Sequence, residues 1–251
     1  MLPVSVQLYS LRDECAKDFG GVLEKIAAIG FKGVEPAGFH KMTPGEFMKK
    51  VNSLGLKVYS SHSPGVRLEN IQECIDTSGV MGLDMLCTGF GPAEFKDMDS
   101  IKRTAGMVNE MLEKLSKSGL KLFMHNHWWE FETVEGRIAY DIFAEMCPKV
   151  LFEIDTYWAA NFGKTDPAEQ VRKFRERTVL LHIKDGTFVK DQPNVVVGTG
   201  KMDFKKVLKA ADESKLRCLI IEFDKCATDM MKAVEDSYKY LISNKMAAGN
   251  K

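Results

Sequence analysis

Short apolar segments alternate with longer amphipathic ones along the whole chain. The apolar segments are brief and continuous and are rich in β-branched and aromatic residues, which is typical of strands covered on both faces. Eight segments fit this description, namely VSVQLY, GVEPA, KVYSSH, MLCTGF, KLFMHNH, VLFEIDT, VLLHIKD and CLIIEF. The pattern therefore predicts eight buried strands with helices between them.

The intervening segments carry helix signals. Residues 19–29 repeat apolar side chains at helical spacing and are followed by Gly30, a residue suited to the position just after a helix. Residues 43–46 read Thr-Pro-Gly-Glu, a capping box with proline in the first turn, and this helix is predicted to end near Gly55. Further helices are predicted over residues 101–118, 167–177 and 204–214, with Asp166 and Asp203 as N-caps of the last two.

Strands that alternate with helices are compatible with a closed barrel or with an open, doubly wound sheet. The first strand is followed by LRDECAKDFGG, which lacks the G-x-G-x-x-G phosphate turn of the open dinucleotide-binding sheet. The length of 251 residues suits one barrel, and no low-complexity linker interrupts the series. We therefore expect residues 1–251 to form a single α/β domain, a (β/α)8 TIM barrel.

The charge balance narrows the classes of function. Lysine plus arginine number 35, as do aspartate plus glutamate, so the formal net charge is zero, whereas nucleic-acid-binding proteins normally have a basic surface. No segment approaches the roughly 20 apolar residues of a membrane span, and the N-terminus does not resemble a signal peptide. We expect a cytoplasmic protein that binds neither nucleic acid nor membrane. Its six scattered cysteines are predicted to be reduced core thiols.

Polar side chains occur where the predicted strands end. In a barrel of this kind, function is located at the C-terminal ends of the strands and in the loops that follow them. Four of the five histidines lie at such ends. From the second strand to the eighth, the polar strand-end residues are Glu35, His62, His125 with His127, Asp155, His182 and Glu222. We expect Glu35 and His62 to contribute to substrate binding.

Asp155, His182 and Glu222 end three consecutive strands and form the core of a predicted metal site. Carboxylates and imidazoles that converge on a barrel mouth would repel one another or change protonation unless a cation held them. A mixed nitrogen and oxygen donor set suits Mn²⁺, Co²⁺, Fe²⁺, Zn²⁺ or Mg²⁺. No local motif such as HExxH is present, so the prediction of one divalent metal depends on the barrel itself.

Several motifs together resemble the sugar phosphate isomerase/epimerase family of xylose isomerase-like barrels. They are EIDTYWA, LHIKDG, VGTGKMDF and IIEFD, and the segments QLYSLRD, GFKGVE and HNHWWEF fit one branch of that family. The resemblance covers essentially the whole chain. It implies a divalent metal held by a Glu, Asp, His, Glu set from strands five to eight, and Asp155, His182 and Glu222 match the last three positions.

The fifth strand departs from the family pattern, because His125 stands where relatives have the first glutamate ligand. We expect His125 to be the fourth ligand, with Glu130 as the alternative if its loop folds inward. His127 matches a position where some relatives have a catalytic histidine, and imidazole suits a general acid or base near neutral pH. Glu153 is expected inside the barrel, either behind a ligand or in a structural ion pair.

The loops after strands five and six carry a group of aromatic residues. Trp128, Trp129 and Trp158 are expected to bind the apolar face of a sugar ring, and Glu130 is included in this substrate-binding set. Lys184 follows His182 by two residues and therefore shares its face of the strand. It is expected to stabilise a negatively charged oxygen of the substrate or to pair with Asp155 or Glu222.

These residues predict an isomerase or epimerase of sugars or keto-sugars. Glu222 or His127 would remove a proton next to a carbonyl, and the resulting enediolate would be reprotonated. Expulsion of a hydroxyl from the same intermediate gives the alternative, a dehydratase or lyase of keto-sugars, inososes or 3-keto-glycosides. An endonuclease-like metallohydrolase and a non-catalytic sugar-binding barrel are less favoured. The expected partner is a small carbohydrate. Whether it is phosphorylated is left open, and Arg12, Lys184 or Lys201 could bind a phosphate. Whether the protein forms a homo-oligomer is also left open.

Overall fold

A computed structural model describes residues 1–251 and contains eight parallel strands in one sheet. In chain order the strands are β1 (Val4–Gln7), β2 (Gly33–Glu35), β3 (Lys57–Val58), β4 (Met85–Thr88), β5 (Lys121–His125), β6 (Leu151–Asp155), β7 (Thr178–Ile183) and β8 (Cys218–Ile221). Their spatial order is β3, β2, β1, β8, β7, β6, β5, β4. Seven lie within the predicted apolar segments and β7 begins one residue before its segment, so the strand prediction is confirmed.

Strands β3 and β4 stand at the two ends of this order and share no backbone ladder. The segment after β3 spans the gap between them: the Val66 amide donates to the carbonyl of Cys87 at 2.8 Å, and the Thr88 hydroxyl donates to the carbonyl of Val66 at 3.1 Å. The side chain of Arg67 extends this link by donating to Thr88 and to the carbonyl of Gly89 at 3.0 and 2.7 Å. The barrel is therefore completed on this side by a loop.

Helices follow the strands and cover the outside of the barrel. They are α1 (Arg12–Ile29), α2 (Pro44–Ser53), α3 (Ile71–Met81), α4 (Met98–Ser116), α5 (Ala139–Met146), α6 (Thr156–Ala159), α7 (Pro167–Phe174), α8 (Phe204–Ala210) and α9 (Met230–Ser243). The predicted capping box at Thr43 is present, as are the side-chain caps at Asp166 and Asp203. None of the helices combines the length and the apolarity that crossing a membrane requires.

Helix α1 begins seven residues earlier than the apolar spacing predicts, since it starts at Arg12. The backbone leaves helical geometry at Asp18, whose carboxylate accepts a hydrogen bond from the Gly21 amide at 2.9 Å. Asp18 therefore caps a second helical segment, which corresponds to the predicted residues 19–29. Helix α4 begins at Met98, three residues earlier than predicted, and the remaining differences are at C-terminal ends, because α4 ends at Ser116, α7 at Phe174 and α8 at Ala210.

The hydrophobic core has two parts. The larger part lies between the sheet and the helices, whereas a smaller cluster includes Met85, Cys87, Phe123, Cys218 and Ile220. These residues come from β4 and β5, which are neighbours, and from β8, which is not, so the small cluster joins strands across the barrel. The polar strand-end residues begin where this apolar layer stops.

Candidate functional site

Four of the predicted polar groups converge at the C-terminal ends of β5 to β8. His125, Asp155, His182 and Glu222 are all buried, and one donor atom of each lies within 4.8 Å of the others. The strand register explains part of this arrangement, because Asp155 is paired directly with His182. The structure therefore brings together the four residues expected to hold a metal.

Glu153 lies inside the barrel, two residues before Asp155, and contacts three imidazoles. Its Oε2 is 2.5 Å from Nε2 of His62 and 3.3 Å from Nδ1 of His125, and its Oε1 is 3.2 Å from Nε2 of His182. These four residues form a second group of possible ligands that shares two histidines with the first. Glu153 thus holds His62, His125 and His182 together through their ring nitrogens.

His182 is held by carboxylates at both ring nitrogens. Its Nδ1 is 2.8 Å from Glu222 Oε2, and its Nε2 is 2.8 Å from Glu35 Oε2. Burial disfavours the charged imidazolium, but Glu153, Glu222 and Glu35 outweigh burial and hold the pKa of His182 well above its ordinary value. Glu35 also accepts a hydrogen bond from Gln7 at 2.6 Å, so this predicted substrate-binding residue lies behind His182.

Lys184 is fully buried among three carboxylates. Its Nζ is 2.8 Å from Asp155, 2.9 Å from Glu222 and 2.5 Å from Asp224. Burial disfavours the ammonium, but these carboxylates outweigh burial and hold the pKa of Lys184 well above its ordinary value. Asp224 is missing from the predicted set, although its position two residues after Glu222 at the end of β8 places it on the same face and would have identified it.

The segment after β5 fixes His127 by two contacts. The imidazole stacks on Trp129 with ring centroids 4.2 Å apart, and the Trp129 indole donates to the carbonyl of Phe90 at 3.2 Å. The His127 amide donates to Oε2 of Glu130 at 2.9 Å. Glu130 therefore folds inward, as its alternative role requires, but it meets this backbone and lies outside both groups of possible ligands.

Burial shifts the pKa values of both His127 and Glu130. Burial, together with the charges of His125 and Lys184, lowers the pKa of His127 to about 2, so its imidazole is neutral near pH 7. Burial raises the pKa of Glu130 to about 8. The side chain of His127 is nevertheless 33% exposed, although its Nδ1 is buried without a hydrogen-bond partner. It is thus a neutral, partly exposed imidazole.

A cavity of about 410 Å³ lies beside the buried groups. Its polar walls include His62, His125, His127 and Glu222, and Arg67 reaches it from the loop that spans β3 and β4. Arg67 was not predicted, because it lies in a loop without periodicity and no neighbouring motif marks it. The cavity gives a polar small molecule access to the converging donor groups.

A second cavity of about 250 Å³ is lined by aromatic residues. Trp128, Trp129 and Trp158, the aromatic residues predicted to bind substrate, all line it, together with Tyr157 and Phe162. This cavity shares His127 and Asp224 with the polar one. The predicted site residues therefore divide between a polar and an aromatic compartment.

The donor set fits a divalent cation. Two imidazoles and two carboxylates converge in a buried place, a combination that suits Mn²⁺, Co²⁺, Fe²⁺ or Zn²⁺. Nδ1 of His125 is buried, and although Oε2 of Glu153 lies 3.3 Å away, the two atoms do not have hydrogen-bond geometry, whereas a buried ring nitrogen normally has a partner. A bound cation would supply that missing partner.

Residues 23–243 match the family described as the xylose isomerase-like TIM barrel. The chain is similar to a sugar phosphate isomerase/epimerase from Parabacteroides distasonis, with a TM-score of 0.80, 25% identity and coverage of 99% of this chain and 96% of that one. It is similar in fold to D-allulose 3-epimerase from Methylomonas sp. in complex with D-allulose (TM-score 0.71, 15% identity, 96% of each chain). It is also similar in fold to AP endonuclease, family 2, from Brucella melitensis, with a TM-score of 0.69, 12% identity and coverage of 97% of this chain and 99% of that one. No curated protein sequence matches this chain.

Proposed function

Because the chain belongs to the xylose isomerase-like TIM barrel family, we propose that it is a divalent-metal-dependent isomerase or epimerase of a small keto-sugar. The observation that carries this proposal is the convergence of four buried donor groups beside a polar cavity, with the partly exposed imidazole of His127 in its wall. Its similarity to the Parabacteroides distasonis sugar phosphate isomerase/epimerase supports the reaction class. The D-allulose bound by the Methylomonas epimerase supports the type of substrate.

His125, Asp155, His182 and Glu222 are the residues that would hold the metal in this proposal. A divalent cation bound there would polarise a carbonyl oxygen and stabilise the negative charge that develops when a neighbouring carbon loses a proton. Lys184 keeps Asp155 and Glu222 ionised and in place, since its ammonium lies within 2.9 Å of both. Lys184 therefore acts as a positioning residue.

His127 is the better candidate for the group that moves the proton. Both His127 and Glu222 line the polar cavity, but Oε2 of Glu222 already contacts His182 and Lys184 at 2.8 and 2.9 Å. The His127 side chain is 33% exposed in the wall of the polar cavity, and its stacking on Trp129 fixes the plane of the ring. A general base needs an accessible acceptor held in a fixed direction, and a neutral imidazole in this position meets both conditions.

The polar wall opposite these groups would bind the substrate hydroxyls. Arg67 is fixed by Thr88 and Gly89, and its guanidinium lies 5.1 Å from the ring centre of Phe90. Such a rigid donor orients a ligand at a low entropic cost. His62 adds an imidazole that is 20% exposed and is held by Glu153 from behind.

Proton exchange with solvent tests the reaction class before the natural substrate is known. Keto-sugars and inososes are incubated in D₂O with the protein and Mn²⁺ or Co²⁺, and NMR follows the hydrogen on the carbon next to the carbonyl. We expect exchange that stops after chelation and returns when metal is added again. Unchanged exchange after thorough chelation would contradict metal dependence, and a lack of exchange across the panel would contradict the reaction class.

The same experiment separates the isomerase from a dehydratase or lyase. Reprotonation leaves the composition of the sugar unchanged, whereas loss of a hydroxyl or alkoxyl group from the neighbouring carbon releases water or an alcohol. The aromatic cavity beside His127 keeps the lyase as the second candidate, because it offers room for a departing group. Release of an alcohol from a 3-keto-glycoside, observed by NMR, would make the lyase the main activity.

A further inference from the structure

We propose that the aromatic cavity is a subsite for a second ring, joined through a glycosidic oxygen to the keto-sugar in the polar cavity. The identity of the first ring rests on the proposed function, whereas the second subsite rests on the shape and chemistry of the aromatic cavity. The preferred substrate class is thus a glycoside of a keto-sugar. A free monosaccharide would leave one compartment empty.

The aromatic residues form an apolar wall against which one flat ring can lie. Trp128 and Phe162 have ring centroids 5.6 Å apart at an angle of 51°, and Trp158 lies 6.0 Å from Phe162 at 76°. These rings pack against one another and together line the cavity. A cavity of ~150 Å³ holds benzene, so a volume of about 250 Å³ has room for a substituted six-membered ring.

The two cavities adjoin at His127 and Asp224, which line both of them. His127 is also the residue proposed to move the substrate proton. A ring bound in the aromatic cavity would therefore be attached close to the reacting carbons of the first ring. This adjacency favours one ligand with two linked parts over two separate ligands.

Polar side chains lie beside the aromatic rings in the wall of this cavity. Asp191, Gln192 and Asn194 also line this cavity. The second ring is thus expected to carry an oxygen acceptor beside an apolar face, as both an aryl group with a hydroxyl and a second sugar do.

The loop on this side of the cavity is held in a fixed shape. Asp185, which is buried, accepts hydrogen bonds from the amides of Gly186, Gly198, Gly200 and Met202 at 2.8 to 3.2 Å. Asn194 accepts from the amide of Asp224 at 2.9 Å and so fastens the loop to the wall that both cavities share. The aromatic cavity is therefore part of the folded architecture.

Tryptophan fluorescence measures binding directly, because all three tryptophans of the chain line this cavity. The probes are methyl β-D-3-ketoglucopyranoside, its phenyl analogue and 3-ketocellobiose, titrated at a pH and temperature where turnover is slow. We expect the phenyl or the glucosyl compound to bind at least ~10-fold more tightly than the methyl compound, which differs only in lacking the second ring. The tighter of the two identifies an aryl group or a sugar as the natural occupant.

Two cavity variants and one surface variant complete the test, with affinities measured by calorimetry. Phe162→Ala and Trp128→Ala are expected to bring the ratio of affinities for the tighter-binding two-ring probe, phenyl or glucosyl, and the methyl compound close to one. Val80→Ala, at a residue that is 54% exposed on α3, should leave the ratio unchanged. Equal affinity for all three probes, or a ratio that Phe162→Ala does not change, would overturn the subsite.

The binding experiments and the proton-exchange experiment test the subsite and the proposed reaction separately. Proton exchange in a free keto-sugar, combined with equal affinities for the three probes, would keep the reaction class and remove the second subsite. A high affinity ratio without proton exchange in any probe would keep the subsite and remove the proposed reaction.

Discussion

Single residues of the site differ in what holds them, and this decides which of them can move a proton. Glu222 is bound by His182 and Lys184, whereas the His127 side chain is 33% exposed in the wall of the polar cavity. His127→Gln is therefore expected to slow proton exchange by about 10²- to 10⁴-fold, the usual contribution of a general acid or base. The bound metal, measured by mass spectrometry after gel filtration, should stay at the wild-type level. Glu222→Gln should instead lower both the rate of proton exchange and the amount of bound metal.

His40→Gln is the matched control for this prediction, since His40 packs against Phe19 outside the site with ring centroids 4.6 Å apart. It should keep wild-type exchange and metal content. Loss of metal in the His127 variant would show that His127 is a ligand. Wild-type exchange in that variant would return the role of base to Glu222.

The cysteines allow a second prediction at this scale. Five of the six are buried, whereas Cys226 is half-buried. Burial raises the pKa of Cys15 to about 12 and that of Cys147 to about 12, so these thiols ionise only at high pH. Titration with a chromogenic disulfide at pH 8 is expected to modify about one thiol per folded chain and six after unfolding. Cys226→Ser should remove the fast reaction, and rapid modification of two or more thiols in that variant would contradict the burial.

The sequence predicted the converging residues better than it predicted their partners. Asp155, His182 and Glu222 follow from one rule, because parallel strands of a barrel end at the same face. The contacts of Glu35 and Glu130 could not be predicted in the same way. Each carboxylate had several partners within reach, and the choice depends on side-chain packing across strands distant in sequence.

At the scale of secondary-structure elements, the loop between β7 and α8 depends on one side chain. Asp185 accepts four backbone hydrogen bonds, and Gly198 takes a φ of 90° that favours glycine. Asp185→Ala would leave these amides without their acceptor, so we expect the free energy of unfolding to fall by about 3 kcal/mol. Urea denaturation measures this change. Thermolysin should also cut residues 186–203 faster than in the wild type.

Asp212→Ala serves as the control, because Asp212 accepts hydrogen bonds from Ser214 in an exposed turn. Its effect on the free energy of unfolding should stay below about 1 kcal/mol. An equal effect of the two variants would mean that the loop does not depend on Asp185.

Helix positions could be predicted where a side chain caps the backbone. The box at Thr43 and the caps at Asp166 and Asp203 are local in sequence, and all three are present. Ends without such a signal were less accurate, as at Phe174 and Ala210, because packing against the barrel decides where those helices stop. The cap at Asp18 was not predicted, since it lies inside a continuous run of helical residues.

At the scale of the whole molecule, the number of strands and the missing phosphate turn were sufficient to predict a barrel. The gap between β3 and β4 could not be predicted, because β3 is only two residues long in the structure and the loop after it replaces the backbone ladder. That loop also delivers Arg67 to the polar cavity. The irregular side of the barrel therefore contributes to the candidate site.

The two ends of the barrel have different roles, because one carries the candidate site and the other contributes to stability. The candidate site occupies the C-terminal ends of the strands, whereas an ion cluster joins the N-terminal ends of β4, β5 and β8. Asp84 contacts Arg217 with both carboxylate oxygens and lies 3.4 Å from Nζ of Lys121. Asp84→Asn should therefore change the stability of the barrel and leave proton exchange at the wild-type rate.

The change in the free energy of unfolding that we expect from Asp84→Asn is small and depends on pH. The hydrogen bond to Arg217 outweighs the effect of burial and lowers the pKa of Asp84 from 3.8 to about 2. Asp84 is 50% exposed, so solvent screening limits its contribution to about 1 kcal/mol or less. Because the pKa is lower in the folded state, this contribution is complete well above 3.8 and is lost as the pH falls through about 2. Urea denaturation should show the variant less stable at pH 7, by an amount that shrinks between about pH 4 and pH 2.

Glu110→Gln is the control, because its pair with Lys114 lies on the exposed face of α4 and spans a single helical turn. It should change the free energy of unfolding by less than about 0.5 kcal/mol. If Asp84→Asn weakens proton exchange at pH 7 while the fold is intact, the two ends of the barrel are coupled. If its effect on stability stays constant down to pH 2, the ionised carboxylate is not what holds the three strands together.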